Sequence, residues 1–511
     1  INYTMHSSVN VKKKTTVSTI LCQTSICCKS SCQVIMYNNW DTKFFCRKRN
    51  ISLVLNRPYQ DLDPVLVADR PWESGGIGCY NTVMREEGVF RLWYDVMLDP
   101  DTPGRFNRQL CYAESADGIH WKKPNLGLIP FAGSKHNNIV SPPAGTQSQQ
   151  GATVFRDDKA PKSERYKAWT KLNPPPRQGK RTRAGGLRAL VSPDGLRWKF
   201  LDQGYPLLNG SAADSQNIPF WDEELERYVA FVRMKNFPKG RDRTCWVGRM
   251  TSSDFRTWTQ ARTVFHADPR DEAMPLPTGM QPLQPVLDFY TPGGMKYPGA
   301  PSSYIMLPTA YHHWDHGRFP STIDVQFLSS RDGIRWHRPE PRGPFLGLGA
   351  DGGPSSGMIF ANPWPLIVGD EIWIYYGGTS RFHLDSADVP AQTGLFRARL
   401  RLDGFLSADA PDKGGTFTTP PLKFAGNRLE LNVDTGGGGW LEVEIQGANG
   451  RALPGFSRRD CDLIRGNSTC KAISWGGNSD CTAAAGQPVR LRFVMRSTKL
   501  YAFQFVASQR P

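Results

Sequence analysis

The chain has 511 residues, 22% of them charged, with 49 Gly, 40 Pro and 15 Trp and a formal charge of +16. It holds no run of about 18 apolar residues, which excludes a membrane-spanning helix, and no basic face with interleaved aromatics of the kind that binds nucleic acid. No Gly-rich phosphate loop, Ser/His/Asp elbow or nicotinamide fingerprint occurs, so no cofactor is implied.

Residues 1–50 differ from the rest. Eight Lys or Arg against Asp41 alone supply seven of the sixteen charges, and five of the eleven cysteines lie here (Cys22, Cys27, Cys28, Cys32, Cys46). There is no Gly, Pro, Ala or Glu. The segment reads either as a targeting or anchoring extension, with Lys12-Lys13-Lys14 before a modestly apolar stretch, or as a mispredicted start.

From residue 51 onward short apolar or alternating runs follow one another, each the length of a strand. A lead-in to Arg70 is followed by Cys79–Met84, Val89–Tyr94 and Gln109–Ala113. Ala152–Phe155, Tyr166–Trp169 and Leu187–Val191 come next, then Gln216–Trp221, Tyr228–Val232 and Cys245–Gly248. Pro282–Tyr290, Tyr304–Leu307 and Ile323–Leu328 form a fourth set, and Gly357–Phe360, Glu371–Tyr376 and Leu395–Leu400 a fifth.

Four of these sets end on one motif. Ser115-Ala-Asp117-Gly118-Ile119-His120-Trp121 returns as Ser192-Pro-Asp194-Gly195-Leu196-Arg197-Trp198, as Ser252-Ser-Asp254-Phe255-Arg256-Thr257-Trp258 without its glycine, and as Ser330-Arg-Asp332-Gly333-Ile334-Arg335-Trp336. Leu402-Asp403-Gly404-Phe405 is a degenerate fifth copy. The four aspartates are spaced 77, 60 and 78 residues apart, with 71 to Asp403, a period that marks a repeat architecture. Asp-Gly after a strand is turn chemistry: the carboxylate accepts amides two residues on, and Gly takes positive φ without a steric cost. The Trp then wedges one sheet against the next. Five such units predict an all-β fold, a five-bladed β-propeller over residues 51–412. After Asp412 the strands alternate polar and apolar, with turns such as Gly436–Gly439, and predict a small β-sandwich over 413–511.

Trp121-Lys-Lys-Pro-Asn-Leu-Gly127 through Asn138-Ile139, Asp214-Ser-Gln-Asn217 and Pro269-Arg-Asp-Glu272 resemble the glycosidase-like five-bladed propeller proteins related to glycoside hydrolase families 32 and 43. Gly404–Thr418 and Pro488–Phe493 resemble the β-sandwich that often follows that propeller. The resemblance covers roughly residues 65 to 508 and implies cleavage of a glycosidic bond in a funnel at the propeller axis, with a glycan as the partner. Family 32 carries Asn-Asp-Pro-Asn-Gly at its first blade, where this chain has Pro71-Trp72-Glu73-Ser74, so fructan specificity does not transfer. A non-catalytic carbohydrate-binding propeller is the alternative.

Glycoside hydrolysis needs two carboxyl groups flanking the bond, one protonated and one ionised. Carboxylates just before inner strands meet that need by position. Glu73 is the expected base or nucleophile, Asp214 the sugar-binding and tuning carboxylate, and Glu272 the general acid. Trp72, Asn81, Gln216, Asn217, Asp271 and Asn362 are the expected sugar contacts, with Trp314 as a further stacking ring. His312-His313-Trp-Asp315-His316 holds metal-ligand residue types but reads as a polar loop, and no metal is expected. Lys171–Arg183, a basic run around Pro174–Pro176, reads as an exposed loop, or as a rim attracting an acidic glycan or phosphate. Cys79, Cys111 and Cys245 read as buried small hydrophobes, and Cys461, Cys470 and Cys481 leave room for one disulfide. Oligomeric state and location stay open; secretion by a eukaryote would make Asn209 and Asn467 glycosylation acceptors.

Overall fold

The structure is a computed structural model that describes residues 35–38, 45–98, 108–140, 148–173, 186–201, 207–209, 214–236, 244–273, 275, 278, 286–314, 321–383 and 390–507. Lys12–Lys14, the first four cysteines, Pro174–Pro176, Asp315 and His316 lie outside them. Among the described residues the fold is all-β: helix is confined to Pro269–Glu272 and a few 3₁₀ turns such as Pro71–Glu73.

The strands form antiparallel meanders taken in chain order. The first sheet holds Ile77–Glu86, Val89–Met97 and Arg108–Ser115; the second holds Ser148–Arg156, Tyr166–Asn173 and Gly186–Ser192 with two short edge strands; the third holds Ile218–Asp222, Arg227–Asn236, Thr244–Ser252 and Arg262–Phe265. The fourth holds Gly294–Tyr297, Ala300–Met306 and Leu328–Ser330. A larger fifth sheet contains Met358–Ala361, Glu371–Thr379 and Thr393–Arg401. Leu287–Phe289, Thr309–His312 and Thr322–Val325 also belong to the fifth sheet, attached through one parallel register pair, Ile323 with Met358. The expected inner strand Pro282–Tyr290 is thus described as Leu287–Phe289.

The repeated motif builds the same turn each time. Asp194 Oδ1 accepts from Leu196 N and Arg197 N at 2.9 Å, and Ser192 Oγ accepts from Gly195 N at 3.0 Å. Asp117 and Asp332 repeat the pattern. Gly195 has φ +77°, and a Cβ there would stand 2.8 Å from the Trp93 ring. The third copy keeps this backbone without glycine: Phe255 has φ +62°, is fully buried and packs on Trp169, Tyr228 and Trp258. Burial of the ring offsets the left-handed conformation, which ordinarily disfavours a bulky residue.

Each sheet presses an aromatic ring onto the turn of its neighbour. Trp93 Nε1 of the first sheet donates to Gly195 O at 2.6 Å, Trp169 of the second stacks edge-on against Trp258, and Phe231 of the third meets Trp336. Tyr297 of the fourth donates to Asp403 Oδ1 at 2.7 Å, and Tyr375 of the fifth donates to Gly118 O at 2.8 Å. Hydrophobic clusters fill the same five junctions, the last joining Tyr375 and Leu395 to Ile77, Phe90 and Leu92 of the first sheet. Tyr59–Gln60, upstream of the first sheet, pairs with Thr393–Arg401 of the fifth, and Arg397 and Arg399 hold Asp61 at 2.7 and 3.3 Å.

Two further sheets enclose one core between Phe417, Val443 and Phe493 on one side and Leu429, Leu431 and Phe505 on the other. Upstream residues supply strands to both: Ile35–Asn38 lies along Thr498–Val506, Arg47–Arg49 along Gly415–Thr418, and Ser52–Leu55 along Leu406–Ala410. Cys111 and Cys245 are buried and Cys79 is half-buried; Cys461 and Cys481 are buried free thiols, so these two do not bridge.

Candidate active site

The 3₁₀ turn Pro71–Glu73 buries the Glu73 carboxylate to 1% exposure and surrounds it with donors. Tyr94 Oη donates at 2.7 Å, Lys123 Nζ at 2.7 Å, and the Asp69 and Arg70 amides at 2.9 and 3.2 Å. A carboxylate so held anchors the entry to the first sheet. Trp72 joins the same network, its Nε1 donating to Asn138 Oδ1 at 2.8 Å, with its ring edge-on to Phe131.

Asp271 and Glu272 sit on the four-residue helix capped by Asp268. Asp271 is buried against two guanidiniums, Arg338 at 2.5 Å and Arg342 at 2.9 Å, while Glu272 is exposed. Arg342 also pairs with Asp268, whose carboxyl it holds far below the usual range. Among the described residues Glu73, Asp214 and Asp271 share no ion-pair partner.

Asp214 has different company. The repeated turns close the third strands at one end of the sheets. At the opposite, open end the middle strands finish, and there Lys171 meets Asp214 Oδ1 at 2.9 Å while Arg233 Nη2 stands 3.7 Å from Oδ2. Burial raises the Asp214 pKa, but Lys171, Arg233 and Lys235 outweigh it and hold the carboxyl below the ordinary value. Arg233 lies over the Tyr290 ring at 4.5 Å, and Tyr80 shares the field of Tyr290, Arg233 and Asp214.

Other groups converge on the same end. Asp288 accepts from Cys245 N at 3.0 Å and lies 3.4 Å from His313 Nε2. His383 packs on Tyr290 and Tyr311, and burial followed by the charge of His313 pushes its pKa down to about 4, so it is neutral near pH 7. Asp95, near the end of Val89–Met97, is fully buried and accepts from Gly151 N at 2.7 Å. Burial raises its pKa to about 7, against the pull of the Gly151 amide and Arg108. A Cβ on Gly151 would lie 2.8 Å from Ser215 O, so this glycine lets the segment after Asp214 come down onto the strand that touches Asp95.

The expected amide contacts sit here or close by. Gln216 Nε2 donates to Asn81 O and Ala152 O, both at 2.9 Å, tying the third sheet to the first and second. Asn217 Oδ1 accepts from Arg233 N at 2.9 Å, and Asn81 Nδ2 donates to Gly78 O. Asn362 is buried beside the Trp364 segment, with neither side-chain atom bonded among the described residues. Trp364 Nε1 reaches Val154 O of the second sheet, and the ring also meets Phe220 of the third. Trp314 donates to Thr322 and stacks beside His312, which pairs with Asp324 at 2.9 Å. Among the described residues no three His, Cys, Asp or Glu side chains are set to hold a metal.

Asp95, Arg233, Asp288 and His383 went unselected in the sequence, while His313 was read as part of a polar loop and Tyr290 as the end of a strand. A charged residue within a largely apolar strand, as Asp95 in Val89–Met97 or Arg233 after Tyr228–Val232, was the available signal. At the same end of the sheets burial pushes one carboxyl up and neighbouring cations hold another down.

No family model and no curated protein matches the chain. Among solved structures it is similar to the exo-inulinase from Aspergillus awamori, with 14% identity over 88% of this chain and 98% of that one and a TM-score of 0.41. It is also similar to the β-1,2-mannobiose phosphorylase from Listeria innocua (13% identity, 67% and 96% covered, TM-score 0.42). A third likeness is to an N-acetylgalactosamine deacetylase from F. plautii (13% identity, 69% and 96% covered, TM-score 0.44).

Proposed function

We propose that the chain is a carbohydrate-active enzyme, a glycoside hydrolase whose five sheets form a five-bladed β-propeller within residues 51–412, followed by a β-sandwich over 413–511 that also takes in Leu406–Ala410 and upstream strands such as Ser52–Leu55. The ring of five aromatic-on-turn junctions and the pairing of Tyr59–Gln60 with the last sheet support that architecture.

The observation that carries the function is the opposed pKa shift of Asp95 and Asp214 at the open end. In this reading the Asp95 carboxyl gives its proton to the leaving glycosidic oxygen as the carbon–oxygen bond breaks. Ionised Asp214 takes the proton of the attacking water or attacks the carbon itself, according to the separation of the two groups. Tyr290 and His313, both half-buried, stand beside the two groups at that end. In this reading Asp214 takes the base or nucleophile role expected of Glu73 in place of the tuning role expected of it, Asp95 takes the acid role expected of Glu272, and Glu73 with Trp72 becomes a support for the first sheet.

Full burial of Asp95 favours the second reading, a carbohydrate-binding propeller without catalysis. Purified wild type and Asp214→Asn incubated with a panel of plant, algal and bacterial glycans separate the two. Product from wild type that falls by about 10²-fold or more in the variant supports hydrolysis. Binding without product supports the second reading, and neither binding nor product overturns both.

A further inference from the structure

Where the upstream chain joins the fifth sheet, a cleft of about 650 Å³ opens at the turn end of the sheets. Its origin lies in the strand pairing. Tyr59 pairs with Arg399 and the Asp61 amide donates to Arg397 O at 2.9 Å, but the next amide to reach that strand is Val65, to Leu395 O at 2.7 Å. Leu62, Asp63 and Pro64 therefore bow off the sheet. Pro64 seats the bow: a Cβ on Gly394 would stand 2.8 Å from Pro64 Cβ, so glycine is what lets it settle there. The facing wall is Ile119-His120-Trp121, the end of the first repeated turn.

The bow is anchored, yet the side chains it displays are wet. Leu62 is 87% exposed and Tyr59 61%, and with Ile119 they make three of the eight large apolar side chains left exposed among the described residues. Arg399 lies 5.0 Å from the Tyr59 ring centroid and, with Arg397, holds Asp61, so that carboxylate is taken up within the wall. The Asp63 carboxylate and the Tyr59 hydroxyl have no bond among the described residues. His120 meets Asp117 Oδ2 through Nδ1 at 2.8 Å, which leaves Nε2 unengaged on a side chain 86% exposed. We propose, resting on the glycan reading above, that this cleft is a second sugar-binding site, holding part of a glycan chain away from the point of cleavage. The Tyr59 ring takes the C–H face of one sugar residue, while Asp63 and His120 Nε2 bond its hydroxyls. A sugar presents an apolar face and a polar edge, and the cleft offers both within a volume ordinary for ligand sites, roughly 300–1,000 Å³. A contact with a second copy of the chain would rest on Leu62 and draw little on Asp63.

Native gels cast with each of a panel of plant, algal and bacterial polysaccharides, run on the whole protein, test the site. The expected result is that at least one polysaccharide retards wild type, that its dissociation constant rises at least fivefold in Tyr59→Ala and at least twofold in Asp63→Ala, and that Asp214→Asn is retarded as strongly as wild type. Retardation lost in Asp214→Asn and kept in Tyr59→Ala puts the binding at the open end; it overturns this inference and leaves the glycan reading standing. Product release by a wild type that no polysaccharide retards does the same. A wild-type dimer that Leu62→Ser turns into a monomer, with retardation unchanged, gives the surface to a second copy and overturns the site. Neither product nor retardation overturns both readings. If Tyr59→Ala fails to fold, Asp63→Ala, at an exposed tip, decides.

Discussion

The two ends of the sheets treat the same side chain in opposite ways. At the turn end Asp117, Asp194, Asp254 and Asp332 accept amide hydrogen bonds from the residues just after them, and all four pKa values lie below the ordinary one. At the open end Asp95 is buried and pushed up to about 7, and Asp214 is held below the ordinary value because Lys171, Arg233 and Lys235 outweigh its burial. Turn-end carboxylates therefore favour the fold when ionised. Asp95 disfavours it when ionised, and a group that costs stability where it stands is a candidate for function.

The sharpest way to break this contrast is Asp214→Asn. If the open end is catalytic, activity on the responsive glycan should fall by roughly 10²–10⁴-fold while the melting temperature hardly moves. Full activity in a folded variant would remove the open end from the chemistry.

Asp95→Asn tests the stability half of the same claim. Well below the ordinary carboxylate value Asp95 is protonated in the folded and unfolded chain alike, so the variant should match wild type there. As pH rises through the ordinary carboxylate value toward 7, the unfolded chain ionises first and wild type loses stability relative to the variant, by up to about 4 kcal/mol at pH 8. Melting curves from pH 4 to 8 should diverge in that direction while glycan cleavage is lost. Parallel curves would mean that the carboxyl is not strained by burial.

The turn end was legible in the sequence because its chemistry is local. Ser, Asp, Gly and Trp act within seven residues, so the motif announces itself wherever it recurs, and even Leu402–Phe405 proved to receive Tyr297 from the neighbouring sheet. The open end is assembled from residues that are distant in the chain: Asp95, Lys171, Asp214, Arg233 and Asp288 share no spacing. Position before an inner strand selected Asp214, Glu73 and Glu272 alike, yet only the three-dimensional surroundings distinguish a carboxylate locked by Tyr94 and Lys123 from one beside two cations at the open end. The upstream strands Ile35–Asn38 and Arg47–Arg49 were hidden for a similar reason, since they gain order from partners more than 350 residues away.

Asp61→Ala probes the junction where the chain's beginning meets the fifth sheet. Arg397, with 10% of its side chain exposed, would lose its carboxylate partner, and a destabilisation of about 1–3 kcal/mol is expected in denaturant melts. Because Asp61 lies away from Asp214 and its cations, cleavage measured well below the melting temperature should be unchanged.

Asp194→Ala is the smallest change and the most direct counterpart of Asp95→Asn. It removes an acceptor for Leu196 N and Arg197 N, two amides at the edge of solvent that water can partly satisfy, so the loss should resemble that of a helix cap, about 0.5–2 kcal/mol. Its sign with pH is reversed. Ionised Asp194 stabilises the fold above the ordinary carboxylate pKa, and that contribution fades as pH falls through its lowered value, so wild type and variant should converge in acid and separate toward neutrality, with wild type the more stable. Two aspartates in neighbouring sheets would then give melting curves that open in opposite directions over the same pH range. If Asp194→Ala instead lowers activity at an unchanged melting temperature, the turns are not merely structural and the division between the two ends fails.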